Sequence, residues 1–179
     1  MTSWPTSGNC WPAGERRAPA IIRRSRRALP GLASGENVPR IHIDLPGQFA
    51  FTTEIAVYIG HINYGHHLDN SALLSLVSEA RVRFFKSLGY SELDVEGLGI
   101  IVADAAVQYR SEAFHGEVLR FAMTARDFNR YGCDLAWQVT ESVSGREVAR
   151  GKHGILFFDY AARKPAAAPP AFRARFPDA

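Results

Sequence analysis

Three histidines, one carboxamide and one carboxylate lie within nine residues of each other. The histidines are His61, His66 and His67, and the other two residues are Asn63 and Asp69. A neutral imidazole can take up a proton near pH 7, and a neighbouring carboxylate can hold it in the required tautomer. A carboxamide can orient water or donate to an oxyanion, but it is not a useful base at neutral pH. We therefore expect His61 or His67 to activate water, with Asn63 orienting the water or a carbonyl group and Asp69 orienting the imidazole.

The same segment leads into a predicted helix, and its backbone could stabilise negative charge. N–H groups near Gly65, His66 and His67 lie close to the predicted helix start, where N–H groups lack partners within the helix and the helix dipole favours an anion. We expect Tyr64, Gly65 and His66 to contribute to substrate binding at this point.

Neither the histidines nor the cysteines predict a metal centre. The spacing H-x4-H-H lacks the one-face helical geometry of the usual zinc motifs. Two distant cysteines, Cys10 and Cys133, can form neither a disulfide framework nor a four-thiolate zinc site. We expect no metal and no cofactor.

The elements that must position these residues are a strand before them and a long helix after them. Residues 49–59 alternate between apolar and polar, as in a half-buried strand. Residues 71–88 carry apolar side chains at steps of three or four, which predicts one long, largely enclosed helix. Asp69 or Asn70 can cap its start and Gly89 can end it in a left-handed conformation. Glu79 can pair with Arg83 four residues later.

The remaining sequence predicts four strands, at residues 100–110, 118–128, 133–141 and 146–159. The turn-like separators predict that consecutive strands are neighbours in an antiparallel sheet. The expected fold is α+β, with one long central helix wrapped by a curved antiparallel sheet of about five strands. We expect this domain to span residues 41–165, followed by a C-terminal tail at 166–179.

Charge is unevenly distributed along the 179 residues. Residues 1–40 carry seven arginines and two glutamates, a balance of +5, so the total of +3 leaves −2 for residues 41–179. This stretch predicts a disordered arginine-rich extension. We expect a cytoplasmic protein or, alternatively, one that the arginine-rich extension directs to an organelle. The acidic balance of the body gives no field for nucleic acid, and no apolar run is long enough to span a membrane.

Several motifs together resemble those of a known family. The segment YIGHINYGHHLDN at 58–70 leads into SEAR at 78–81, and QYRSEAFHGEVL at 108–119, VARG at 148–151, FD at 158–159 and KP at 164–165 follow in order. This arrangement resembles the hotdog-fold acyl-CoA thioesterases of the 4-hydroxybenzoyl-CoA type, whose signature is D-x-D, a small residue, H-V-N-N and a helix with E-A-R. The resemblance places the two acids of D-x-D at His61 and Asn63, so the usual catalytic aspartate is replaced by Asn63.

The resemblance implies hydrolysis of an acyl-CoA or related thioester, with the coenzyme A ester as substrate and no cofactor. It also implies a homodimer or homotetramer, with an acyl pocket between two subunits, and it allows a working carboxylate on the central helix at Glu79. Two alternatives remain open. One is a hotdog protein that binds an acyl thioester or other acyl ligand without hydrolysing it, because Asn63 replaces the acid. The other is a dehydratase of hydroxyacyl thioesters.

Overall fold

The structure is a computed structural model that describes residues 41–177, so the predicted extension at 1–40 lies outside the described residues. One antiparallel sheet and one long helix account for most of it. The strands are β1 (Phe51–Ala56), β2 (Gly99–Tyr109), β3 (Val118–Arg126), β4 (Gly132–Glu141), β5 (Glu147–Asp159) and β6 (Lys164–Pro165), and the helices are α1 (Asn70–Ser87) and α2 (Pro170–Arg173). The α+β class and the strand-helix-strands order predicted from sequence are confirmed.

The sheet has the order β1-β3-β4-β5-β2, with β6 paired to the end of β5. All pairs are antiparallel. Strands β3, β4 and β5 form the expected meander, but the expectation that β2 neighbours β3 is wrong. The chain crosses from β2 to β3 over the sheet, so β2 becomes an edge strand beside β5, and the segment after β2 meets the segment before α1.

Helix α1 starts and ends as its sequence predicts. The Asp69 side chain accepts hydrogen bonds from the backbone N–H groups of Ser71 and Ala72, which makes it the N-cap. Gly89 follows the helix with φ 86°, a conformation that suits glycine. The helix buries its apolar face in the core against the concave face of the sheet, and its buried residues are Leu73, Leu76, Val77, Ala80, Phe84 and Phe85. None of the helices in residues 41–177 is long and apolar enough to cross a membrane.

The packed structure continues past the domain end expected at residue 165. Phe172 in α2 is fully buried and stacks on Phe85 at 5.8 Å between ring centroids. Phe176 is also buried, and its ring lies 5.9 Å from that of Phe84. Burying one such ring stabilises the fold by roughly 1.5–3 kcal/mol. Residues 166–176 therefore close the core instead of forming a tail, and the sequence hid this because its proline and alanine content resembles a linker.

Candidate active site

A short hairpin before α1 carries His67. Its arms are joined by an antiparallel bridge between Ile62 and Leu68, and the Asn63 N–H donates to the His67 carbonyl at 2.9 Å. The Asn63 side-chain oxygen accepts the Gly65 N–H at 2.8 Å, which closes the turn. The hairpin thus holds His67 beside the start of α1.

The His67 ring has one nitrogen engaged and one available. Nδ1 lies 3.2 Å from the Leu68 carbonyl oxygen and 3.4 Å from the Asn63 side-chain nitrogen. The shorter contact is to an oxygen that only accepts, so it places the proton on Nδ1 and leaves a lone pair on Nε2. The ring packs so closely on Gly65 that an added Cβ there would stand 2.9 Å from Nε2. His67 is therefore a well-held imidazole with a free basic nitrogen.

A pocket of about 230 Å³ opens beside His67, between the start of α1 and the end of β2. The backbone joins its two sides, because the Leu68 N–H donates to the Ala113 carbonyl at 2.8 Å. Its lining consists of His67, Leu68, Asp69, Asn70, Leu73, Tyr109, Arg110, Ser111, Glu112, Ala113 and Val148. The lining thus combines apolar side chains with polar and charged ones.

Glu112 is a site residue that the sequence reasoning missed. Its carboxylate lies 3.9 Å from His67 Nε2, and its side chain is 64% exposed. Glu112 stands in the segment after β2, 45 residues from His67, so its closeness depends on the way β2 returns along β5. The motif at 108–119 contains this glutamate, but no spacing within that motif relates it to the histidines.

Tyr109 adds a neutral hydroxyl to the pocket wall. Its oxygen lies 3.4 Å from the Asn70 carbonyl. Burial, with the negative charge of Asp69 as a smaller cause, raises the pKa of the phenol above its usual value. Tyr109 is thus a hydrogen-bond donor at neutral pH and carries no charge there.

His61 stands outside this group. Its Nδ1 accepts the Tyr58 N–H at 3.1 Å, so the proton of the neutral ring is on Nε2. In this state Nε2 can only donate, and the lone pair of Nδ1 is already used by the Tyr58 N–H. The ring therefore cannot take a proton from water. His61 does not line the pocket, and between the two histidines predicted as bases the geometry favours His67.

Asp69 is occupied as the helix cap. Besides two backbone N–H groups, it accepts the Ser71 hydroxyl at 2.5 Å. Hydrogen bonds from Ser71 are the main cause that lowers the pKa of its carboxyl, followed by the bond from Ala72. These contacts use the N–H groups of the second and third helical residues, so the helix start offers fewer free donors than its sequence suggested.

The three residues expected to bind substrate lie at the hairpin tip. Tyr64, Gly65 and His66 are all exposed, and Tyr64 is fully so. The Gly65 and His66 N–H groups are both used inside the turn, by the side-chain oxygen and the carbonyl of Asn63. Among residues 41–177, no acceptor was found for the backbone N–H of His67 or of Asn70, and both of these residues line the pocket.

Glu79 takes the pairing predicted for it. Its carboxylate accepts from Arg83 Nε at 2.7 Å, and Arg83 also donates to the Thr53 hydroxyl and the Glu54 carbonyl of β1. The pair joins α1 to β1. Glu79 does not line the pocket, and within this chain it is not brought to His67.

No cluster of three or more His, Cys, Asp or Glu side chains in the described part of the chain is arranged to hold a metal ion. Cys133 is buried as expected, and burial raises the pKa of its thiol to about 12. It is a packing residue and not a nucleophile.

The chain matches a family model and many solved structures. The model of the thioesterase-like superfamily matches residues 57–176. A 1,4-dihydroxy-2-naphthoyl-CoA thioesterase from Synechocystis superposes with a TM-score of 0.64 at 18% identity, covering 72% of this chain and 96% of its own. A thioesterase from Thermus thermophilus, complexed with coenzyme A and zinc, has a TM-score of 0.63 at 22% identity and coverages of 72% and 98%.

A gentisyl-coenzyme A thioesterase is also similar, with a TM-score of 0.61 at 16% identity, covering 69% of this chain and 99% of its own. No curated protein sequence matches the chain. At these identities the solved structures establish the hotdog fold. The family model covers more than half of the sequence and includes the hairpin, α1 and every strand of the meander, so the chain belongs to the thioesterase-like superfamily.

Proposed function

We propose that the protein hydrolyses an acyl-CoA or related acyl thioester to the free acid and the thiol, with water activated by His67. Within the superfamily, the order of the motifs supports the 4-hydroxybenzoyl-CoA type. The observation that carries the proposal is the free Nε2 of His67, a residue that lines a pocket together with the start of α1. A positioned general base typically contributes about a hundredfold or more to the rate.

The groups around the pocket suit each step of the reaction. Nε2 of His67 takes a proton from water while the water oxygen attacks the thioester carbonyl carbon. The oxyanion that forms can accept hydrogen bonds from the backbone N–H groups of His67 and Asn70. The carbon–sulfur bond then breaks, and the departing thiolate takes the proton back from the imidazolium. Atoms and charges balance with water as the only co-reactant, and no cofactor is required.

Asn63 has a supporting role in this scheme. Its side-chain oxygen accepts the Gly65 N–H and closes the turn that carries His67, so it supports the hairpin instead of acting on the substrate. An Asn63→Asp substitution keeps an acceptor for the Gly65 N–H and places a carboxylate oxygen at Nδ1. We expect hydrolysis to be retained or increased.

Binding without hydrolysis is the second candidate, and it also has an observation in its favour. The anionic Asp69 already occupies the helix start and accepts two of its N–H groups, which weakens the electrostatic stabilisation of an oxyanion there. In this reading His67 and Tyr109 would orient an acyl ligand. The two candidates differ in whether a thiol is released.

We also propose a homodimer or a larger assembly. Strand β2 lies at the sheet edge, and Val102, Ala103 and Ala105 on it are exposed. Unpaired edge strands with small apolar side chains favour pairing with a second copy. Such pairing would bring a second subunit next to the pocket at the end of β2. Sedimentation velocity at micromolar concentration should show a dimer or tetramer, and a monomer would contradict the proposal.

Thiol release from a panel of short, long and aromatic acyl-CoA esters tests the function. We expect release by the wild-type protein, and a loss of about a hundredfold or more in kcat for His67→Ala. His61→Ala serves as the matched control, because its ring is engaged with the Tyr58 N–H and lies outside the pocket. No release from any ester, with acyl-CoA binding still measurable by calorimetry, would favour the second candidate.

A further inference from the structure

We infer that Glu112 is the carboxylate partner of His67, a positioning residue that strengthens the base of this site. The inference rests on the proposed function only in what the pair is used for. Its geometric basis is the 3.9 Å separation between the Glu112 carboxylate and His67 Nε2. This is the nitrogen that must receive the proton from water.

The backbone around Glu112 is held firmly by Arg146. The Arg146 guanidinium donates to the Glu112 carbonyl and to the Ser111 hydroxyl, the latter at 2.9 Å. Its Nη2 also donates to both oxygens of the Glu117 carboxylate, at 2.8 and 3.0 Å. With the Leu68 N–H bonded to Ala113 on the other side, the peptide that carries Glu112 is fixed relative to His67.

The other charged side chains near His67 have partners of their own, although Asp69 also interacts with His67, whose charge is the smallest of the causes that lower the pKa of the Asp69 carboxyl. Asp69 accepts the helix N-terminal N–H groups, and Arg110 lies 3.4 Å from the Glu147 carboxylate. Arg146 is paired with Glu117. Within residues 41–177, the Glu112 carboxylate has no lysine or arginine partner, and His67 is the one basic group within 4 Å of it.

This arrangement has a direct consequence for proton transfer. While the ring is neutral, Nε2 and the Glu112 carboxylate are both acceptors, so they form no hydrogen bond with each other. When Nε2 takes the proton from water, the imidazolium gains an ion pair with Glu112. Removing the carboxylate therefore makes His67 a weaker base without touching the substrate.

The pairing can be measured without any hydrolysis. Diethyl pyrocarbonate reacts with unprotonated imidazole, and mass spectrometry of the modified peptide separates His67 from His66. In Glu112→Gln, the pH dependence of the reaction at His67 should shift to lower pH, because a partly exposed ion pair is lost. His66 is exposed at the hairpin tip and serves as the internal control, with no shift. Glu112→Asp keeps the charge, so the pH dependence at His67 should stay close to that of the wild type.

A second variant controls for the loss of one negative charge. Glu54→Gln removes a carboxylate that pairs with Arg120 between β1 and β3, and it should leave His67 unchanged. No shift at His67 in Glu112→Gln, or the same shift in Glu54→Gln, would overturn the inference.

Activity then separates this inference from the proposed function. If thioesters are hydrolysed, the acid limb of the wild-type rate profile should move to lower pH in Glu112→Gln, and kcat should fall while KM stays constant. Hydrolysis with an unmoved acid limb overturns the inference alone. A shift at His67 in a protein that releases no thiol supports the pair and refutes the proposed function.

Discussion

His153 on β5 is a buried histidine that should make the stability of the fold depend on pH. It is 4% exposed, and its Nδ1 lies 3.2 Å from Arg81 Nη1 on α1. Arg81 is in turn paired with Glu92 at 2.6 Å. Because the guanidinium can only donate, Nδ1 must accept, and a proton there would face a positive charge. Burial first, and the charge of Arg81 second, lower the pKa of His153 from 6.5 to about 4.

The sign follows from comparing the two states. The unfolded chain takes up a proton at this histidine below pH 6.5, whereas the folded protein does so only below about pH 4. The contribution of His153 to stability is therefore complete above pH 6.5 and is lost as the pH falls to about 4. With about 1.36 kcal/mol for each unit of difference, the loss amounts to about 3 kcal/mol. That is a large part of the stability of an ordinary domain.

Urea unfolding between about pH 4.5 and 7.5 measures this loss. His153→Gln keeps a side-chain acceptor for Arg81 but removes the titration, so its free energy of unfolding should fall by about 2 kcal/mol less than that of the wild type over this range. His115→Gln, at an exposed turn position, should follow the wild-type curve. Parallel curves for wild type and His153→Gln would refute the reasoning, because the buried ring would then exchange no proton on unfolding.

Three further predictions concern the hairpin, the helix start and the end of the chain. Gly65→Ala should lower kcat about tenfold or more, because its Cβ would displace the His67 ring, whereas Gly60→Ala, with no atom within 4 Å of the added methyl, should stay near wild type in the same assay. Asp69→Ala should lower the free energy of unfolding in urea by about 1 kcal/mol through loss of the cap. If it instead abolished activity at unchanged stability, Asp69 would be a catalyst. Phe172→Ala should cost about 3–5 kcal/mol, and a loss no larger than that of a surface variant would show that residues 166–176 do not close the core.

Local sequence signals were sufficient to predict the main helix and most of the strands. Alternation and helical periodicity act over a few residues, so β3, β4, β5 and α1 appear close to their predicted bounds. The first strand is shorter than residues 49–59 because the chain turns into a short 3-10 segment at Ile59–His61. The place of β2 beside β5 could not be predicted, since a turn-like separator describes its own residues and not the strand that the chain reaches afterwards.

The candidate site shows the same division between local and distant information. His67 and the cap at Asp69 follow from residues that are neighbours in the sequence. The choice between His61 and His67 could not be made there, because it depends on which ring nitrogen meets the Tyr58 N–H and which meets the Leu68 carbonyl. The closeness of Glu112 to His67 could not be predicted either, because it depends on the pairing of β2 with β5, which are distant in sequence.

Asn63 and Glu112 lie on opposite sides of the His67 imidazole, and the proposed chemistry uses no acid at position 63. The resemblance places the usual catalytic aspartate at position 63, and in this structure the Asn63 amide nitrogen lies 3.4 Å from Nδ1 of His67. Glu112 faces the opposite nitrogen, Nε2. In this chain the carboxylate near the ring therefore lies on the side of Nε2, the nitrogen that would receive the proton, and an amide lies on the side of Nδ1. A base supported there needs no carboxylate at Nδ1, because the Leu68 carbonyl already fixes the tautomer.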